Sequence, residues 1–135
     1  MKHSRLINFK KFSDGRGNLT AIESSKDIPF NIKRIYFLYD IPEDKIRGEH
    51  AHKNLEQLIL CLGGSFDIII DDGFIKKKYT LNDPSVGLYV PKMHWRILEN
   101  FSKNSTCLVL ASEEYSEDDY YRNYNDFLSN ISLEK

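Results

Sequence analysis

Cysteine is scarce in this chain, with only Cys61 and Cys107 among 135 residues. Both stand in apolar strand-like runs, LILCL and STCLVLA, and read as buried reduced thiols rather than a disulfide framework or a nucleophile. Charge of one sign is not in excess. The formal net charge of -1 gives no electrostatic footprint for nucleic acid or a membrane surface. No apolar run approaches the length of a membrane-spanning helix. The first residues, MKHSRLINFKKF, lack the apolar stretch and small-residue cleavage site of a signal peptide, so a cytoplasmic protein is expected. Repeats, low-complexity segments and linkers are missing, as are dinucleotide and phosphate-loop signatures. One domain over residues 1–135 is therefore expected.

What remains is a rhythm of short strands. Candidates are LINFKKF, LTAIES, KRIYFLYD, EQLILCL, SFDIIID, KKKYTL, GLYV, HWRILEN and TCLVLA. They are rich in Ile, Val, Tyr and Phe, and DGRGN, GGS, DDG and NDPS punctuate them. That rhythm favours an all-β sandwich or small barrel. Only the end reads as helical. Ser116 and Asp119 have the spacing of a capping arrangement, and Tyr120, Tyr124, Phe127 and Ile131 recur at helical spacing. A short helix over about 117–131 is expected, packing on the barrel or on a partner subunit. The run Lys76, Lys77, Lys78 reads as a solvated edge strand that blocks aggregation.

The stretch RGEHAHKNLEQLILCLGG carries the chemistry. Residues i and i+2 of a strand face one side, so His50 and His52 address a single ligand or substrate. Two imidazoles so placed can hold a metal or move protons. The spacing HxH, three residues, Glu56, six residues, Gly63 resembles the first motif of the cupin superfamily of double-stranded β-helix barrels. Gly87, Pro91, His94 and Asn100 resemble its second motif with altered spacing. Measured from Pro91, the place of the usual third metal-binding histidine is taken by Arg96, and His94 lies two residues early. His50, His52, Glu56 or Gln57, and His94 are the candidate donors for a metal. Arg96 would instead put a fixed positive charge in the pocket.

The same stretch, together with GLYVPKMHWRILENFS, LVLASEEY and DYYRNYNDFL, resembles the WxcM-like sugar 3,4-ketoisomerases. The resemblance runs in order from FSDGRGNL to DFL. It implies a cupin barrel, a homodimer and cofactor-free isomerisation of dTDP-4-keto-6-deoxy-D-glucose to the 3-keto sugar, in the making of 3-amino sugars for surface glycans. It carries the proton-transfer roles onto His50 and His52, with His52 expected as the base at C3 and His50 as its partner. Tyr36 is the expected hydroxyl donor. Arg47 and then Arg34 are expected on the diphosphate, Trp95 against thymine or the sugar, and Arg96 and Gln57 among the substrate-binding residues. Arg16, in the DGRGN turn, and His94 resemble the galacto-forming branch, so a 3-keto-6-deoxy-D-galactose product is expected. The N-terminal LINFKKF is expected to pair with the partner's sheet. Competing expectations are a metal-dependent cupin enzyme and a cupin that binds a sugar nucleotide without chemistry.

Overall fold

The computed structural model describes residues 2–134, with side chains through residue 131. In chain order its strands are β1 (Arg5–Asn8), β2 (Phe12–Asp14), β3 (Gly17–Leu19), β4 (Arg34–Leu38), β5 (Arg47–His52) and β6 (Gln57–Gly63). There follow β7 (Phe66–Asp71), β8 (Lys76–Leu81), β9 (Val86–Val90), β10 (Trp95–Glu99), β11 (Thr106–Ala111) and β12 (Tyr120–Tyr121), with helix α1 (Tyr124–Glu134) at the end. One sheet runs β1-β9-β6-β11-β4 and a second runs β12-β5-β10-β7-β8, while β2 and β3 form a separate hairpin. Every pairing is antiparallel. This is the all-β barrel of the cupin type.

Alternation along each strand explains where the core lies. Ile59 and Cys61 of β6 point between the sheets and join Phe66, Ile68, Ile70, Val90, Leu98, Cys107 and Val109. Leu58 and Leu60 point the other way, under Phe9, Ile28 and Phe30. Strand β6 is therefore buried on both faces, which is why QLILCL is continuously apolar rather than alternating. Cys61 and Cys107 are both free and buried, and lie opposite each other across β6 and β11. Burial pushes the Cys107 thiol up to about 12, so it stays protonated. At the other sheet's edge, β8 carries exposed Lys76 and Lys77, and Lys78 pairs with Asp67 at 3.4 Å.

Three sequence expectations change. LTAIES contributes only Leu19 to a strand, because residues 22–32 run as a loop whose Ile22, Ile28, Phe30 and Ile32 cover the outer face of β6. LINFKKF splits: β1 pairs with β9 of its own chain, and Phe12 opens the hairpin. The C-terminal helix begins at Tyr124, not near 117. Glu117–Asp119 is a single 3-10 turn, and Ser116 makes no side-chain cap to it. Asp119 is spent elsewhere, and Tyr120 and Tyr121 extend as β12 against β5.

Helix α1 lies on the outside of the second sheet. Phe127 and Ile131 pack on Ala51, Met93 and Trp95. Ala51, between the two histidines, faces this helix, so strand alternation turns His50 and His52 inward.

Candidate active site

The inner ends of β4, β5, β6, β10 and β11 enclose a cavity of about 560 Å³. Arg34, Tyr36, Arg47, His50 and Gln57 line it, and Tyr115, Tyr120 and Arg122 close it from the segment after β11. Strand β5 is bent to reach this wall. Its register against β10 shifts between Arg96, opposite His50, and Leu98, opposite Arg47. Gly48 sits at that irregularity with φ +72°, and a Cβ there would come within 3.0 Å of the Leu98 side chain. Glycine is thus favoured by conformation, and a side chain there would also press on Leu98.

The two histidines occupy different depths. Half-buried His50 forms part of the cavity wall, while His52 is fully buried and lies behind it. Their rings stand perpendicular with centroids 4.8 Å apart, and Tyr120 touches both. Burial, then the nearby Arg96 guanidinium, lower the His50 imidazole to about 3. The same two causes, in the same order, lower His52. Both rings are therefore neutral bases at ordinary pH. The expectation that His52 meets the substrate meets an obstacle, since strand β12 and the turn before it cover His52. His50 is the one at the wall.

Asp119 is what reaches His52. Its Oδ2 lies 3.1 Å from His52 Nδ1, and its Oδ1 accepts the Asn54 backbone N–H at 2.8 Å. Nothing local in the sequence joins residues 52 and 119; the link is the two-residue pairing of β12 with β5.

A second chain of hydrogen bonds runs under the cavity floor. Arg96 is buried and donates through Nη1 to Gln57 Oε1 and through Nη2 to the His94 carbonyl at 3.0 Å. Gln57 Nε2 donates to the Tyr36 hydroxyl at 2.7 Å. Burial lowers the Arg96 guanidinium to about 10, so it remains a cation at neutral pH. Burial raises the Tyr36 phenol, so it remains protonated.

Cations line the rest of the cavity. Arg34 lies over the rings of Tyr36 and Tyr115, 5.1 and 5.4 Å from their centroids, and its Nε and Nη2 are buried without a protein acceptor. Arg47 stands on the opposite strand, β5. Arg122 stacks on Tyr120 at 4.1 Å and makes a two-pronged pair with Glu117 at the rim. Buried polar atoms without partners cost about 1–3 kcal/mol each, so this wall is built to receive acceptors. Asp119, Tyr120 and Arg122 belong to a stretch that reads as the start of a helix in the sequence, and Tyr115 stands just before it.

Three expected site residues lie elsewhere. Trp95 faces outward from β10 and packs against Tyr124 and Phe127 of α1. His94 precedes the strand, after Met93 in a left-handed conformation, and its Nδ1 is held 2.8 Å from the Lys92 carbonyl oxygen. It turns toward His3, Ile75 and Lys77, away from the cavity. Arg16 is exposed in the β2–β3 turn and pairs with Asp14 at 2.9 Å.

The fold family implies a metal site, and these residues do not fit one. Glu56, at the position of the motif's carboxylate, turns out of the barrel to the Tyr89 hydroxyl and to Lys2 at 3.0 Å. The Arg96 guanidinium lies among the two histidines and Gln57 instead, and a fixed cation there opposes a second one. Among the described residues, no three His, Cys, Asp or Glu side chains come together as a metal site.

Comparison with known proteins agrees with this geometry. The model of the family described as FdtA, WxcM-like, C-terminal, matches residues 2–132. A TDP-4-oxo-6-deoxy-alpha-D-glucose-3,4-oxoisomerase of Aneurinibacillus thermoaerophilus is 48% identical, over 98% of this chain and 97% of that protein. The crystal structure of a mutant of the 3,4-ketoisomerase QdtA from Thermoanaerobacterium thermosaccharolyticum, in complex with TDP-4-keto-6-deoxyglucose, superposes with a TM-score of 0.95. It is 42% identical and covers 98% of this chain and 96% of its own. The WlaRB TDP-quinovose 3,4-ketoisomerase of Campylobacter jejuni superposes with a TM-score of 0.92, at 45% identity, covering 96% of this chain and 100% of its own.

Proposed function

Since the chain belongs to the FdtA, WxcM-like C-terminal family, we propose that it isomerises dTDP-4-keto-6-deoxy-D-glucose to the 3-keto-6-deoxyhexose. The C4 carbonyl acidifies the C3 proton. His50 removes that proton, leaving an enediolate over C3 and C4. A proton then returns to carbon at C4, the C3 hydroxyl gives up its own proton, and the old carbonyl oxygen gains one. No electron leaves the sugar, so no redox group is required. Tyr36 serves the oxygen atoms, because its hydroxyl has a proton left to give. Arg34 and Arg47 are suited to the diphosphate, through bidentate contact.

The single observation that carries this reading is His50 on the cavity wall, neutral, lining the same cavity as a tyrosine hydroxyl that already accepts from Gln57. Incubation of the purified protein with the keto sugar nucleotide tests it. NMR should show the carbonyl carbon move from C4 to C3. An unchanged substrate would leave only a binding protein. The outward turn of Glu56 disfavours the metal-dependent alternative.

The galacto configuration at C4 remains our assignment for the product, to be read by NMR after trapping with a 3-aminotransferase. An equatorial C4 hydroxyl would refute it. Its remaining support is the family resemblance at Arg16, which stands exposed in the β2–β3 turn. We assign a homodimer on the same grounds. Ile35 and Phe37 on β4, Leu62 on β6, and Phe12 and Leu19 on the hairpin are all more than two-fifths exposed, an apolar face suited to another copy. Light scattering that gives a monomer at micromolar concentration would overturn it. The reaction is assigned to the cytoplasm, with no nucleic acid or membrane as partner. No helix among the described residues is long and apolar enough to cross a membrane.

A further inference from the structure

His52 has an assignable tautomer, and the assignment has consequences for catalysis. An ionised carboxylate only accepts hydrogen bonds. The Asp119 carboxylate already receives the Asn54 N–H at 2.8 Å on Oδ1 and the Leu55 N–H at 3.3 Å on Oδ2. The imidazole nitrogen 3.1 Å from Oδ2 must therefore be a donor, so Nδ1 carries the proton. A neutral imidazole has one N–H. The lone pair is consequently on Nε2, which is buried, has no protein partner and belongs to the ring adjoining His50.

We propose that Asp119 is a positioning residue for the proton transfer: it holds His52 as the Nδ1–H tautomer, so that a bare Nε2 stands behind His50. This rests on the ketoisomerase reading above. The proton taken from C3 by His50 is then shared with a second base, and the carboxylate steadies the cation that forms. The proton returns to C4 from the same pair, so none is gained or lost. Orientation of an imidazole by a carboxylate on its far nitrogen is a general device, and loss of the correct tautomer costs catalysis heavily.

Asp119→Asn separates this role from a structural one. The shorter backbone bond, from Asn54, claims the amide oxygen. That leaves the NH2 facing His52 Nδ1. Donor would face donor, and the ring must move its proton to Nε2. In 15N NMR of imidazole-labelled protein, wild-type His52 should be protonated on Nδ1 and the variant on Nε2. Turnover should fall by about 10²-fold or more, with KM for the sugar nucleotide within about 3-fold of wild type. Wild-type protein protonated on Nε2 overturns the proposal even if the variant does not fold. So does a folded variant with wild-type kcat. The tautomer is read without substrate, so it stands or falls separately from the ketoisomerase activity.

Discussion

Gln57 gives an amide N–H to the Tyr36 hydroxyl oxygen at 2.7 Å, and the direction of that bond is dictated from the far side. Arg96 can only donate, so Gln57 must present Oε1 to it and Nε2 to Tyr36. Tyr36 thus accepts from the protein and has its own O–H proton free for a ligand. A buried cation is transmitted through one amide to one phenol, and each bond in such a chain polarises the next.

Reversing that direction should disable the tyrosine without removing it. In Gln57→Glu the carboxylate has no donor to offer, so the Tyr36 hydroxyl must donate to it instead. We expect kcat to drop by about 10²-fold, the lower end for a general acid. Tyr36→Phe should drop by a similar factor. The double variant should be no worse than either single one, because both remove the same proton. Steady-state kinetics of the three variants checks this. Additive losses would mean that Gln57 acts independently of Tyr36.

His50→Asn should abolish most turnover, by about 10²–10⁴-fold, while dTDP still binds, since the amide approximates the ring in size and cannot take up the proton. His52→Asn should also be impaired, with dTDP binding retained. Isothermal titration with dTDP beside the kinetics makes the distinction. A His50→Asn variant with near-wild-type kcat would remove it from the role of base.

Much of this was legible beforehand, for reasons that differ by residue. The barrel follows from strand composition and turns, because alternation and β-branched side chains act locally. His50 stands where strand parity and motif spacing put it, while Tyr36, Gln57, Arg34 and Arg47, expected only through the family resemblance, line the same cavity. Parity forbids residues 95 and 96 from both facing inward, but nothing local says which of the two does, so Trp95 was not assigned by it. His94 lost its place to the left-handed Met93, which breaks the pleat just before the strand. The depth order of His50 and His52 depends on what covers them, and the cover is made by residues far along the chain. Asp119 and Tyr120 look like the first turn of a helix because acidic residues favour helix N-termini. Tertiary pairing with β5 wins over that local preference.

A chelator should leave activity intact. Arg96 and the outward Glu56 leave the histidines without a third donor. Dialysis against EDTA followed by assay is the measurement. Loss of activity that zinc, iron or manganese restores would refute the metal-free chemistry.

Trp95 should matter to stability and not to substrate. It is only 8% exposed and packs on Phe127 and Tyr124. Trp95→Ala should cost about 3–5 kcal/mol of unfolding free energy, typical of a large buried aromatic. Trp95→Phe, which keeps most of the packing, should retain wild-type dTDP affinity. A large loss of affinity in the folded Phe variant would return Trp95 to the binding site.

Acid should destabilise the protein in a window the two histidines define. Their ordinary value is 6.5, and in the folded chain both are lowered, His50 to about 3. Below 6.5 the unfolded chain takes up protons on these rings that the native fold does not. Their stabilising contribution is therefore complete above pH 6.5 and is lost progressively as pH falls from 6.5 toward 3. Each ring adds a slope of at most about 1.4 kcal/mol per pH unit in that interval. Carboxylates contribute to acid unfolding as well, so the test is a difference. Urea midpoints for wild type and His50→Asn should converge between pH 7.5 and pH 5, with the wild type losing more. For catalysis the sign is the same: a base lowered to about 3 stays unprotonated near neutrality, so kcat/KM should show no break at 6.5 on its acid side. Parallel pH dependence of the two urea midpoints, with a break in kcat/KM at 6.5, would mean that His50 titrates as an ordinary exposed imidazole.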